Sequence, residues 1–366
     1  MKVIDLFAGS GGLSLGFMKD GHNIISAVEY DENIALSYKE NHPDTNVIVD
    51  DIKNVDNLKF FEEGSADIII GGPPCQGFSM AGSRIRNDFI DDPRNYLFKH
   101  YFNIVKLVKP SFFIMENVKG LMTMQGGDIF NEILKIFSDS EMLDGKAYNV
   151  NYKLVKGTDF GIPQKRERLI IIGTLQNDYD FDEIWSKTKD DISAEIPTYF
   201  NKVTIYDAIS NLPGTTKDGF IDNPKPETDY QMQLASNSDI ISNHTKTNHS
   251  NKAIERMKQV SPGENYTSIN ETINSVHSGS YGRLEWDKPG LTITTRFDTP
   301  SGGRFIHPVE NRTLSPREAA RIQSFPDDYV FYGNKTSIAT QIGNAVPPKI
   351  SYFLSRLISN ISDSEG

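Results

Sequence analysis

Only one cysteine, Cys75, occurs in the 366 residues. That scarcity excludes a disulfide framework and any cysteine-rich zinc cluster, and it fits a reducing compartment. No apolar run is long enough to span a bilayer, and no charged leader precedes the strand-like start Met1-Lys2-Val3-Ile4-Asp5. A cytoplasmic location with no membrane contact is therefore expected. The formal net charge of -11 offers no general attraction for nucleic acid. The distribution is uneven, however: between Ile241 and Arg321 there are 11 Lys and Arg against 8 Asp and Glu, so a locally basic face is possible.

The first half alternates short apolar runs with helix-like segments. Strands are expected at Val3 to Phe7, Ile24 to Val28, Asn46 to Val49, Ile68 to Ile70 and Phe112 to Met115, with further ones at Tyr148 to Val155 and Leu169 to Gly173. Helices are expected at Leu13 to Asp20, Asn33 to Asn41, Tyr96 to Val108 and Ile129 to Phe137. This alternation predicts an α/β fold, a doubly wound and mostly parallel sheet covered by helices on both faces. After about Leu175 the pattern fades into a polar stretch, read as a smaller, loop-rich second domain. Regularity returns at Ser315-Pro316-Arg317-Glu318, a helix start with a capping box, and the chain closes with an amphipathic segment from Ile350 to Ile358. No internal repeat is present.

Three constellations carry chemistry. In Asp5-Leu6-Phe7-Ala8-Gly9-Ser10-Gly11-Gly12, a strand runs into a glycine-rich turn, with Glu29 at the end of the second strand and Asp50-Asp51 at the end of the third. Such a turn suits an adenosine cofactor, the carboxylates binding ribose hydroxyls and the adenine edge; a plain tight turn is the alternative. The six-residue dinucleotide fingerprint is missing, which disfavours nicotinamide or flavin. Next, Cys75 follows Gly72-Pro73-Pro74, and Glu116 sits in Met115-Glu116-Asn117-Val118. Both close predicted parallel strands, so a thiol and a carboxylate can converge in one crevice; a structural cysteine and a solvated glutamate are the alternative. Finally, Gln164-Lys165-Arg166-Glu167-Arg168 puts two guanidiniums on one side of an extended segment, suited to a base carbonyl or a phosphate, or else a solvated charge run.

In this order the segments resemble the DNA cytosine-5 methyltransferase family, over about 1 to 175 and 310 to 358. Asp5 to Gly12, Gly72 to Gln76, Glu116 to Val118, Gln164 to Arg168, Arg317-Glu318 and Gln341-Ile342-Gly343-Asn344-Ala345-Val346 carry the resemblance. It implies S-adenosyl-L-methionine as cofactor. By that resemblance Phe7 packs on adenine, Gly9 and Gly11 approach the methionine part, Glu29 holds the ribose and Asp51 the adenine edge, with Gly12 and Ile52 also in the cofactor set. Tyr30 stacks, while Pro73, Leu97, Asn344 and Ala345 complete the set. It also implies that Cys75 adds to C6 of a flipped-out cytosine, that Glu116 engages N3 and the exocyclic amine, and that Arg166 and Arg168 bind the base carbonyl and keep the thiolate anionic.

The same resemblance makes Ser79 to Asp92 a loop that closes over double-stranded DNA, with Ser79, Ser83, Arg84 and Arg86 as contacts. The domains expected are 1-180 (catalytic and cofactor-binding), 181-310 (target recognition) and 311-366 (a return segment completing the first). Arg283, Thr295, Arg296 and Arg304 are the recognition-domain candidates for base or phosphate contacts, and Thr292 and Thr294 are shorter ones. His244 and His249 are read as loop residues, and no metal site is expected. A zinc deaminase and the two-cysteine RNA methyltransferases each require a second cysteine. The transfer-RNA-directed branch carries a cysteine motif in its recognition region that this chain lacks. A catalytically silent DNA binder is the remaining rival. The compact length suits a monomeric prokaryotic modification enzyme that functionally pairs with a restriction endonuclease.

Overall fold

The computed structural model describes residues 1–56, 59–74, 96–176, 179–273 and 278–364. Cys75, Ser79, Ser83, Arg84 and Arg86 lie outside them. The chain divides into two compact units. One comprises Met1–Val155, Glu167–Ala194 and Ile350–Gly366, the other Lys156–Arg166 and Glu195–Lys349. Among the described residues no helix is long and apolar enough to cross a membrane.

The first unit is built on a seven-stranded sheet. Its strands are β1 (Lys2–Leu6), β2 (Asn23–Glu29), β3 (Asn46–Val49), β4 (Ile68–Gly71), β5 (Phe112–Val118), β6 (Asn149–Lys156) and β7 (Glu167–Thr174). Their order is β3-β2-β1-β4-β5-β7-β6. The pairings β1 with β2, β2 with β3, β1 with β4 and β4 with β5 are parallel, whereas β5 and β7 are antiparallel. The sheet is therefore mostly parallel, as its alternating segments predict. All four residues of β4 are buried, which is what apolar runs covered on both faces require.

Helices α1 (Gly12–Lys19), α2 (Glu32–Asn41), α3 (Tyr96–Val108) and α4 (Asp128–Phe137) fill the crossovers. Aromatic packing of Phe98, Tyr101 and Phe113 around Phe137 joins α3, α4 and β5 into one core. One expectation fails: the polar stretch after Leu175 opens with a 15-residue helix, α5 (Phe181–Glu195), mostly in the first unit. Its signals are in the sequence. Asp180 accepts hydrogen bonds from the amides of Asp182 and Glu183, and Ile184, Thr188 and Ile192 are buried at four-residue spacing.

The second unit holds α6 (Ile205–Ile209), β8 (Ile221–Asp222), α7 (Asp229–Leu234), β9 (Ile240–Ile241), α8 (Asn251–Met257), α9 (Pro316–Ile322) and α10 (Lys335–Asn344). The capping box at α9 forms as its sequence predicts: Ser315 Oγ accepts from the Glu318 amide, and the Glu318 carboxylate accepts from the Ser315 amide at 2.7 Å. Residues 311–349 pack with this unit, although the sequence suggests a return to the first domain at 311. Buried arginines account for the difference. Arg321 pairs with Asp327 and donates to Ala208 O of α6, while Arg317 donates to Ser242 O, Pro326 O and Tyr329 O. The return comes only in α11 (Pro348–Asp363). Within the first unit, the Ser351 hydroxyl donates to Leu13 O of α1. A Cβ on Gly16 would fall 2.2 Å from Tyr352 N, so the two helices meet backbone to backbone there.

Candidate active site at the strand ends

Register aligns the carboxyl ends of the central strands. Leu6 stands beside Val28 and Gly71, and Gly71 beside Met115. The order reverses between β1 and β4, and in open α/β sheets that switch point opens the crevice where ligands bind.

On the β1 side the chain leaves the sheet through Phe7, Gly9 and Gly11, all with positive φ (56°, 56° and 92°). Phe7 has no glycine's freedom and holds a left-handed conformation that costs about 1 kcal/mol or more. Gly9 has nothing within 4 Å of where a Cβ would lie, so the turn leaves open space above it. Glu29 fixes the turn: one carboxylate oxygen accepts from the Gly9 amide at 2.8 Å, the other from the Asp31 amide at 2.9 Å. Burial raises its pKa against the pull of those amides. Each oxygen keeps a lone pair, so two vicinal hydroxyls can still be bound. Tyr30, beside it, is 75% exposed. Asp51 caps the 3-10 turn that begins at the buried Ile52, through the Lys53 amide, and Leu97 lies half-buried on α3.

Beneath the turn lies a network the sequence reading missed. Asp5 is 1% exposed and accepts from the Tyr38 hydroxyl at 3.3 Å. Burial pushes its carboxyl up to about 7. Ser14 Oγ donates to Gly11 O and lies 3.1 Å from His42 Nε2. Burial lowers His42 to about 4, which keeps it neutral. An aspartate inside an apolar strand was the available signal, because such a group requires partners.

On the β4–β5 side, Glu116 is buried and Arg168 Nε lies 2.6 Å from its Oε1. Gly72 stands against it: a Cβ there would be 3.0 Å from Glu116 Oε2. Asn117 Nδ2 donates to Pro73 O at 3.0 Å, anchoring the segment that leads to Cys75. The structure thus brings Glu116, Arg168, Gly72 and Pro73 together.

In the second unit Arg166 is fully buried and donates to Ile293 O at 3.0 Å and to Asn344 O at 3.4 Å. Asn344 closes α10 with its side chain exposed, and Ala345 follows, half-buried. A Cβ on Gly343 would fall 2.4 Å from Thr295 N, so this turn lies directly on Thr294-Thr295. Thr294 and Arg296 are exposed. Arg304 is half-buried, donating to Glu264 O and Arg283 O. Arg283 does not fit the base-reading role expected for it. All five of its N–H groups are engaged, by Val260 O, Met257 O, His307 O, Glu310 O and Asn311 Oδ1, and it is 4% exposed. His244 bonds Ser315 and Pro213 O, and His249 bonds Thr313.

The profile of C-5 cytosine-specific DNA methylases matches residues 1–360. The chain belongs to that family. Type II methyltransferase M1.HphI of Haemophilus parahaemolyticus is 35% identical over 100% of this chain and 88% of its own length. Type II methyltransferase M.DdeI of Desulfomicrobium norvegicum is 33% identical over 98% and 88%. A solved structure described as a candidate DNA modification methyltransferase encoded within an E. coli prophage superposes with a TM-score of 0.75 at 28% identity, covering 99% of both chains. The S. pombe Dnmt2 methyltransferase shares the fold, with a TM-score of 0.62 at 16% identity over 99% of both chains. This cytosine-5 methyltransferase is therefore an enzyme of DNA methylation, and the strand-end crevice is where its fold places ligands.

Proposed function

We propose that the enzyme uses S-adenosyl-L-methionine and methylates cytosine within a short recognition sequence of double-stranded DNA, with Cys75 as nucleophile. The observation that carries this reading is the Glu116–Arg168 ion pair against Gly72, three residues before Cys75. C5 of cytosine is a poor nucleophile until something adds at C6. Cys75 thiolate forms the bond to C6 while the ring's electron pair moves toward N3, where Glu116 delivers a proton or a hydrogen bond. Arg168 holds Glu116 in place. The resemblance assigns both Arg166 and Arg168 to the base carbonyl and to keeping the thiolate anionic. Once C5 has gained the methyl group, loss of the C5 proton to a base, release of the proton at N3 and departure of Cys75 as thiolate would restore the aromatic ring.

The first unit's residues fit the cofactor. Glu29 offers lone pairs for the ribose hydroxyls, Gly9 leaves space, Tyr30 presents an exposed ring, and Phe7, Gly11, Gly12, Asp51, Ile52, Pro73 and Leu97 belong to the same strand-end turns and helix start. Motif identity adds Asn344 and Ala345. When bound, the cofactor supplies an electrophilic methyl group on a sulfonium sulfur.

The target base has to leave the duplex to reach a thiol in a crevice. Ser79, Ser83, Arg84 and Arg86 are assigned to that step by sequence alone. In the second unit, Thr295, Arg296 and Arg304 are the DNA contacts we retain. The relatives are named Type II methyltransferases, which supports a modification role that protects DNA from a partner endonuclease; a cytoplasmic monomer is our reading of the sequence alone.

Bisulfite sequencing of mixed-sequence DNA treated with protein and S-adenosyl-L-methionine tests the reading. Protected cytosines in one short shared sequence, absent with Cys75→Ser, are expected. Equal protection by the variant would remove Cys75 from the mechanism.

A further inference from the structure

Lys349 is 7% exposed, and among the described residues no carboxylate pairs with it. Its amine donates to Tyr199 O at 2.8 Å and to Gln233 Oε1, and lies 4.1 Å from the centre of the Tyr199 ring. Tyr230 supplies a second ring at 5.6 Å. Two acceptors and a ring face satisfy three N–H groups without an anion. Burial nevertheless pushes the amine down to about 7. A methionine would fill the same box without that desolvation. What the amine adds is direction, because hydrogen bonds fix a position that apolar packing leaves loose.

The position so fixed is the end of a turn. Tyr199 grips Lys349 twice: its carbonyl takes the amine, and its hydroxyl donates to Lys349 O. The Lys349 amide donates to Ser324 Oγ at 3.2 Å, and Gln323 Nε2, from the preceding residue, donates to Ile342 O at 2.7 Å. Adjacent residues 323 and 324 thus hold both ends of the segment 342–349, and Ser324 does so at a φ of 66°, a strained conformation for serine. Asn344 and Ala345 lie between these anchors, followed by the stiff pair Pro347-Pro348.

We propose that Lys349 is a positioning residue for cofactor binding: clasped by Tyr199 and Gln233, it fixes the turn that presents Asn344 and Ala345. This inference rests on the cofactor role proposed for Asn344.

Calorimetric titration of S-adenosyl-L-methionine into wild type, Lys349→Met, Tyr199→Phe and Asn344→Ala, alongside steady-state kinetics, tests it. Lys349→Met is expected to weaken binding about tenfold, with the same rise in the cofactor KM and with kcat at saturation within about twofold of wild type. Tyr199→Phe, which keeps the ring and removes the hydroxyl, should weaken binding about threefold and covers the case in which Lys349→Met does not fold. Unchanged affinity in the folded variants, or a fall in kcat with no change in cofactor affinity, would overturn the proposal. If Asn344→Ala binds the cofactor normally, the role of Asn344 fails, and an effect of Lys349→Met must then have another origin.

Discussion

Arg168 and Glu116 meet diagonally across antiparallel strands. Arg168 stands opposite Val118, two residues beyond Glu116, yet its Nε reaches Glu116 Oε1 at 2.6 Å. Diagonal neighbours on one face of a sheet are within reach of a long side chain. Both side chains are largely buried, at 14% and 11% exposure, and the contact is one of charge, since Glu116 Oε1 accepts no hydrogen bond among the described residues.

Arg168→Ala should therefore lower kcat by about 10²-fold, the scale of a misplaced general acid, and leave cofactor affinity near wild type. Glu116→Gln should lower kcat by a similar or larger factor. Because the two act as one unit, the double variant should be little worse than the poorer single one. Single-turnover methylation rates measure this; fully additive losses would show that the residues act separately.

Glu29 holds the Gly9 and Asp31 amides with its two oxygens. Glu29→Gln replaces one acceptor oxygen with an NH2 donor facing a backbone donor. The expected result is a loss of cofactor affinity of about 10-fold or more, roughly 1.4 kcal/mol or above, measured by calorimetry with the thermal midpoint recorded in parallel. Unchanged affinity would exclude Glu29 from the cofactor site.

Asp5 gives the fold a pH signature. Its carboxyl is raised to about 7 in the folded protein from an ordinary value of 3.8. Between those values the native state holds a proton that the unfolded chain has released. This contribution to stability is complete below about 4 and is lost as pH rises toward 7. Asp5→Asn, which mimics the protonated form, should flatten that part of the urea-midpoint profile. An unaltered profile would mean that Asp5 is ionised in the native state.

What was legible in the sequence follows from geometry. Strand ends, glycine turns and the Ser315 cap are local, and a local pattern is enough to place them. Seven strands appear where alternating apolar runs suggested, with ends shifted by up to three residues. Arg283 and Lys349 were illegible for the opposite reason. A charged residue in a polar stretch reads as solvated, and only the folded chain brings carbonyls from residues 257, 260, 307 and 310 around one guanidinium. The same holds for the boundary at Ile350, set by buried arginines whose partners are distant in sequence.

Arg283→Ala is accordingly expected to act on stability. It removes five hydrogen bonds and leaves buried carbonyls unsatisfied, for a loss of about 3 kcal/mol or more. Arg296→Ala, at an exposed position, should leave stability unchanged within about 0.5 kcal/mol and weaken DNA binding. Urea melts and DNA titrations at two salt concentrations separate the two. An Arg283→Ala protein of normal stability with altered target sequence would restore Arg283 as a reader.

Covalent attack by Cys75 can be trapped on DNA carrying 5-fluorocytosine, because fluorine at C5 cannot leave as the proton does. Incubation of that DNA with the enzyme and S-adenosyl-L-methionine, followed by denaturing electrophoresis and mass spectrometry of the peptide containing Cys75, should reveal a stable protein–DNA adduct on that residue. The adduct should be absent from Cys75→Ser. An adduct on another residue, or methylation of ordinary DNA without any trapped complex, would exclude Cys75 as the attacking nucleophile.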